Sequence, residues 1–157
     1  MMNISTRGRY ATRIMVQLAR QLDLRAITKY EIAKEEEITV PYVQQLLMAL
    51  RLAGLVRSHR GRTGGFALTR RPEEITVSDV LRAVEGDIMP APCLLDTHCD
   101  RAETCPTKPL WEKASAVLDQ LFSGTTIADL LAGLPSPESE ETHEREAPAA
   151  RDQELRG

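Results

Sequence analysis

Aromatic residues are scarce in this sequence: Phe, Trp and Tyr make up 4% of its 157 residues. A core must therefore rest on Leu, Val, Ile, Ala and Met, which the 42% apolar content permits. Long apolar runs are missing too. None approaches the ~18 residues that suggest a membrane-spanning helix. The opening MMNISTRGRY holds no apolar stretch of signal-peptide type, so the expected compartment is the cytoplasm, with no membrane partner. Cysteine occurs three times, an odd number that fits poorly with a secreted disulfide framework. Signatures of catalysis are also lacking. The glycine-rich turn is not followed by Gly-Lys-Ser/Thr, and its spacing does not suit a dinucleotide fingerprint. No nucleophile–base pair or helical metal motif stands out, so an enzyme is not expected.

What is present is a strong charge asymmetry beneath a net charge of −3. Residues 1–72 carry 13 Lys and Arg against 5 Asp and Glu. Residues 73–134 carry 4 against 11, and residues 135–157 carry 3 against 7. A basic front half points to an anionic partner, nucleic acid first among them. The plain alternative is a solvated charged surface.

Apolar periodicity sets out the elements. Tyr10, Ile14, Leu18 and Leu22 recur every four residues, which predicts an amphipathic helix over about 8–23. Thr28-Lys29-Tyr30-Glu31 has the form of a capping box and opens a short helix to about Glu36. Thr39 suits the cap of a third helix, with Pro41 in its first turn and Gly54 beyond its end. Three short helices with a tight connection between the second and third make a helix-turn-helix pattern.

Next come two strand-like segments, residues 55–59 and 66–69, around Arg60-Gly61-Arg62-Thr63-Gly64-Gly65. A hairpin directly after a helix-turn-helix is a winged helix. Its slim, arginine-bearing tip suits a narrow, electronegative DNA groove. A hairpin turn without function is the rival reading.

Thr76 starts a further helix that Gly86 closes, and Thr107 with Pro109 begins a long one ending at Gly124. Thr126 caps a last short helix. Leu110, Ala114, Val117, Leu118 and Leu121 give the long helix an apolar stripe. Pairing with the same helix of a second chain would cover that stripe and match a palindromic site on double-stranded DNA. The alternative is that the helix folds back on its own domain. The expected fold class is thus mainly α with a small β-hairpin wing: a winged helix-turn-helix plus a long C-terminal dimerisation helix. The expected organisation is a DNA-binding domain over 1–86, a cysteine-rich loop over 87–106, the dimerisation and short helices over 107–134, and a disordered acidic tail over 135–157.

All three cysteines, Cys93, Cys99 and Cys105, fall within 13 positions at a C-x5-C-x5-C spacing. Structural zinc favours paired cysteines two to four apart, and a thioredoxin-type site needs C-x-x-C. A loop with evenly spaced thiols suits a larger object, and an iron–sulfur cluster prefers thiolate ligands. A fourth ligand stays open among His98, Asp96, Asp100, Glu103, a partner chain, a small thiol or water. Thiols that sense oxidants directly, without a cluster, remain the main alternative.

Several motifs in series carry a family likeness: Gly8-Arg9-Tyr10-Ala11, Val40 to Leu46 (VPYVQQL), Arg51 to Val56 (RLAGLV), Arg60 to Phe66 (RGRTGGF), and the three-cysteine loop followed by Leu110-Trp111. Over roughly residues 2–134 the chain resembles the iron–sulfur cluster regulator family typified by IscR and NsrR. The resemblance implies a dimeric winged-helix transcription regulator that senses iron–sulfur status, oxidants or nitric oxide. It implies that Cys93, Cys99 and Cys105 hold a 2Fe–2S or 4Fe–4S cluster. It puts Pro41, Tyr42 and Gln44 at the front of the recognition helix and Arg60 at the wing tip. Where IscR-like members place a fourth-ligand histidine, this chain has Lys108. Where NsrR-like members use an acidic residue near the N-terminus, Asn3 to Arg9 hold no carboxylate.

The expected DNA-contacting set is Thr39, Pro41, Tyr42, Gln44, Gln45, Arg57, Arg60 and Arg62. The Gln44 amide can pair bidentately with adenine or meet other base edges. Tyr42 suits either a phosphate contact or the core. Arg7, Arg9, Arg57, Arg60 and Arg62 would neutralise phosphates.

Overall fold

Side-chain caps define the start of most helices. In the computed structural model, which describes residues 4–21, 25–61, 64–86, 91, 94, 99, 101 and 103–133, helix α1 runs over Thr6–Ala19. It begins two residues before the expected start because Ser5 accepts hydrogen bonds from the backbone N–H groups of Arg7 and Gly8. It ends at Ala19 instead of reaching residue 23, since Gln21 N–H turns back to the Leu18 carbonyl in a tightened last turn. Leu22 lies outside the described residues.

Helix α2, Lys29–Glu36, opens on the expected capping box. Thr28 accepts from the Glu31 N–H, and the Glu31 carboxylate accepts from the Thr28 N–H at 2.8 Å. Those bonds hold the Glu31 carboxyl below its usual range. The helix stops where Glu37 takes a left-handed backbone, φ 55°. A non-glycine residue pays strain there, and Ile38 N–H closes on the Ala33 carbonyl at 3.1 Å.

Helix α3 follows at once, over Val40–Leu52. Thr39 occupies its cap position, but its side chain makes no capping hydrogen bond, contrary to expectation. A capping oxygen accepts from the second or third helical N–H. The second helical residue here is Pro41, which has none. Gly54, φ 73°, supplies the left-handed turn that ends α3.

Strands β1 (Val56–His59) and β2 (Gly65–Leu68) pair antiparallel, with Val56 opposite Leu68 and His59 opposite Gly65. Ile27 adds a one-residue third strand, exchanging backbone bonds of 2.9 and 2.7 Å with Phe66. A Cβ on Gly65 would meet the Ile27 carbonyl, so only glycine lets that segment lie so close.

After a short 3₁₀ turn, Pro72–Glu74, helix α4 spans Val77–Glu85 and starts on a second capping box, Thr76 with Asp79. Helix α5 spans Lys108–Gly124, and α6, Ile127–Ala132, starts on a third capping box, Thr126 with Asp129. The Asp129 carboxyl is lowered by those Thr126 bonds.

Leu, Ile, Val, Ala and Met build the core, as the aromatic scarcity requires. Ile14, Met15 and Leu18 of α1 meet Leu46, Leu47 and Leu50 of α3 there, with Val80 and Val84 of α4. Ile127 of α6 is also fully buried in it. Backbone bonds from Ile127 N–H to the Ile75 carbonyl and from Val77 N–H to the Thr125 carbonyl, 2.9 and 2.8 Å, dock that helix. Helix α5 has no buried residue. It touches α4, while Leu110, Val117 and Leu121 stay more than half exposed. The expectations for 87–90 and for the tail beyond 133 lie outside the described residues.

Candidate nucleic-acid interface and cysteine loop

The burial pattern of α3 aims one face outward. Val43, Leu46, Leu47 and Leu50 are buried, which turns Thr39, Pro41, Gln44 and Gln45 to solvent. Pro41, Gln44, Gln45 and Met48 line a shallow depression with Lys29 of α2. Lys29 Nζ donates to Gln44 Oε1 at 3.0 Å across that depression. Sequence reasoning passed over Lys29, because it becomes a neighbour of Gln44 only once α2 and α3 pack.

Tyr42 is half-buried and packs against the core. Its ring meets Tyr10 edge-on, with centroids 6.1 Å apart, and Arg13 lies over the other ring's centroid at 5.5 Å. The core contact is one of its two sequence readings, and the half-buried Tyr42 also stands in the expected DNA-contacting set.

The wing presents Arg57 on β1 and Arg60 just past it, both exposed. Its turn closes with a 3.0 Å bond from Gly64 N–H to the Gly61 carbonyl, and Gly61 has φ 111°. Only glycine adopts that backbone readily. Arg62 lies outside the described residues. Arg7 and Arg9 stand exposed on the first turns of α1.

The cysteine loop is described in part. Cys99 and Cys105 are free and half-buried, and Cys93, Asp96, His98 and Asp100 lie outside the described residues. Cys105 comes just before α5. Its Sγ sits 3.3 Å from Thr107 Oγ1, and its carbonyl accepts from Lys108 N–H. The Thr107 side chain and backbone lower the thiol below its usual range, helped by the Lys108 N–H and the Arg101 charge. Thiolate is the form that binds iron. A thiol held toward thiolate on a loop of three cysteines therefore fits an iron–sulfur cluster as donor chemistry. Among the described residues, no three His, Cys, Asp or Glu side chains converge on one point.

A helix-turn-helix followed by a glycine-turned wing, with arginines on both, defines a winged-helix DNA-binding protein. Residues 4–133 match the Rrf2 family, described as an iron-dependent transcriptional regulator. The chain belongs to the Rrf2 family of transcriptional regulators. It is 36% identical over 129 residues to the HTH-type transcriptional regulator CymR of Bacillus subtilis, covering 82% of this chain and 89% of that one. The solved structure of that CymR, described as the global cysteine regulator of B. subtilis, matches with a TM-score of 0.72 at 33% identity, over 84% of this chain and 98% of that one. The structure of T. potens IscR matches with a TM-score of 0.69 at 31% identity, over 92% and 93% of the two chains. Among the described residues no helix is long and apolar enough to cross a membrane.

Proposed function

We propose that this regulator binds a palindromic operator as a homodimer and senses iron–sulfur status, redox state or nitric oxide through a cluster on Cys93, Cys99 and Cys105. The observation that carries the reading is the placement of Cys105: a thiol held toward thiolate, two residues before the cap of the one long helix whose apolar face is open.

The chain's residues divide the work. The front of α3 reads base edges through Thr39, Pro41, Gln44 and Gln45, while Tyr42, Arg57, Arg60 and Arg62 hold phosphates or a narrow groove. Cys93, Cys99 and Cys105 would hold the cluster, 2Fe–2S or 4Fe–4S, which when bound supplies a centre sensitive to oxidants and nitric oxide. Cys105 ties the loop to α5, and α5 of two chains pack through Leu110, Val117 and Leu121. Ordering the loop then fixes where α5 starts, and α5 sets the spacing of the two recognition helices. The units are a DNA-binding domain over 1–86, the loop over 87–106, the pairing helices over 107–134 and an acidic tail over 135–157, in the cytoplasm.

A second reading, direct thiol sensing without a cluster, is favoured by the same lowered thiol, since a thiolate is also what oxidants attack. Its kinship is with CymR, described as a cysteine regulator.

Operator binding separates the two. Anaerobic protein is titrated onto DNA selected from a random pool, before and after iron chelation under argon. A change in affinity on chelation, absent when Cys93, Cys99 or Cys105 is Ala, supports cluster sensing. Affinity that ignores chelation but responds to peroxide and thiol reductant supports the thiol reading.

A further inference from the structure

The amide of a glutamine has one acceptor oxygen and two donor hydrogens. To read adenine in the major groove it needs both, the oxygen for the N6 amino group and a hydrogen for N7. In Gln44 one of the oxygen's two lone pairs is taken: Lys29 Nζ donates to it at 3.0 Å and sets a positive charge beside it. The same ammonium lies 5.5 Å from the centroid of the neighbouring Tyr30 ring. An adenine amino group approaching Gln44 Oε1 would meet that positive charge. Among the described residues no such competitor meets the Gln44 Nε2 hydrogens, and Lys29 lines the same depression with Pro41 and Gln45. The pair is therefore a cluster of donors. Guanine answers it with two adjacent acceptors, N7 and O6.

We propose that the Lys29 charge at the Gln44 oxygen sets the base preference of Gln44, turning it from a bidentate reader of adenine toward a donor-side reader of guanine. This rests on the reading that α3 contacts operator bases. Lys29 acts here as a positioning residue. It lies on the other helix of the motif, so the base preference belongs to a pair of side chains drawn from α2 and α3.

The test is a random-site selection on double-stranded DNA with the full chain purified anaerobically, comparing wild type, Gln44→Ala, Lys29→Met and Lys29→Arg. Gln44→Ala identifies the position that Gln44 reads, because the preference there disappears. At that position wild type is expected to favour guanine over adenine by about tenfold or more. Lys29→Met is expected to turn the preference toward adenine there and leave the other positions unchanged. Lys29→Arg, which keeps a donor, is expected to retain guanine. Loss of a phosphate contact alone would weaken Lys29→Met on all sequences equally and leave the ratio untouched. An unchanged guanine-to-adenine ratio in Lys29→Met overturns the proposal and leaves Gln44 as a base reader. If Gln44→Ala changes no position while wild type still selects a defined site, the proposal falls and the regulator reading stands. If wild type selects no sequence, both fall.

Discussion

Arg82 Nη2 donates to Asp119 Oδ1 at 2.8 Å, joining the exposed side of α4 to the middle of α5. Both side chains are more than half exposed, so the pair adds little to global stability. Its effect is on where α5 lies. Asp119→Ala is expected to cost under ~1 kcal/mol in urea unfolding. Amide hydrogen exchange along α5 should nevertheless speed up relative to α3. Equal exchange in both proteins would show that the pair does not anchor the helix.

Gly8 faces α4 at closest approach. A Cβ there would run into the Glu85 carboxylate and lie 2.9 Å from Leu81 Cδ2. Glu85 is itself fixed by the Ser5 hydroxyl at 2.8 Å. Both contacts are ends of side chains that can turn aside. Gly8→Ala is therefore expected to displace Glu85 from Ser5 and to change stability by no more than about 1 kcal/mol, Ala's helix propensity offsetting part of the cost. Adding Glu85→Ala should restore any loss. Strict additivity in the double variant would mean the two sites do not share this contact.

Arg60 stands exposed at the wing, and its removal tests that arm separately from α3. Arg60→Ala is expected to weaken operator binding by ~1–3 kcal/mol and, if the contact is to phosphate, to lower the slope of log affinity against log salt by about one. Fluorescence anisotropy at several salt concentrations reads both. An unchanged isotherm would remove Arg60 from the interface.

Cys105 titrates below an ordinary thiol because Thr107 hydrogen-bonds its charged form. In cluster-free protein at neutral pH it should alkylate faster than a free cysteine peptide, and Thr107→Val should move the rate-against-pH midpoint upward. The linkage sign follows: a lowered acid favours the fold above the thiol's unfolded pKa, and that contribution fades as pH falls through the folded value. A midpoint unmoved by Thr107→Val would assign the shift to other groups.

The open face of α5 gives a test of assembly. Leu121, 55% exposed, lies on the apolar stripe with Val117. Leu121→Glu would place a charge in any helix–helix contact there, and sedimentation equilibrium should shift from dimer toward monomer. A variant that sediments as wild type does would place any dimer contact elsewhere.

Much of the fold was legible because helix starts are written in short polar pairs. Thr28 with Glu31 caps as read, and Thr76 and Thr126 start helices as read, each with an acidic partner three residues on, Asp79 and Asp129, that the structure adds. The wing was legible from its glycines and flanking apolar residues. Other features depend on partners far along the chain. Nothing near Ile27 marks it as a strand; Phe66 makes it one. Ile127 reads as one more helix residue until its backbone bond to Ile75 draws α6 into the core. At Thr39 a local cap signal gave no side-chain bond: Pro41 removes one of the two N–H groups a cap can use, and the side chain does not take the other, on Tyr42. At the candidate site, Gln44 was recognisable from its place on the helix. Lys29 was not, because the contact exists only between two packed helices.

Cluster binding is tested most directly by iron and acid-labile sulfide counts with a visible spectrum, on one anaerobically purified sample. The expected result is coloured protein with iron and sulfide in matched amounts, lost when Cys93, Cys99 or Cys105 is replaced by Ala. Their ratio per chain would then distinguish 2Fe–2S from 4Fe–4S. Colourless, iron-free protein that still binds its operator would contradict cluster sensing and leave direct thiol sensing by these cysteines.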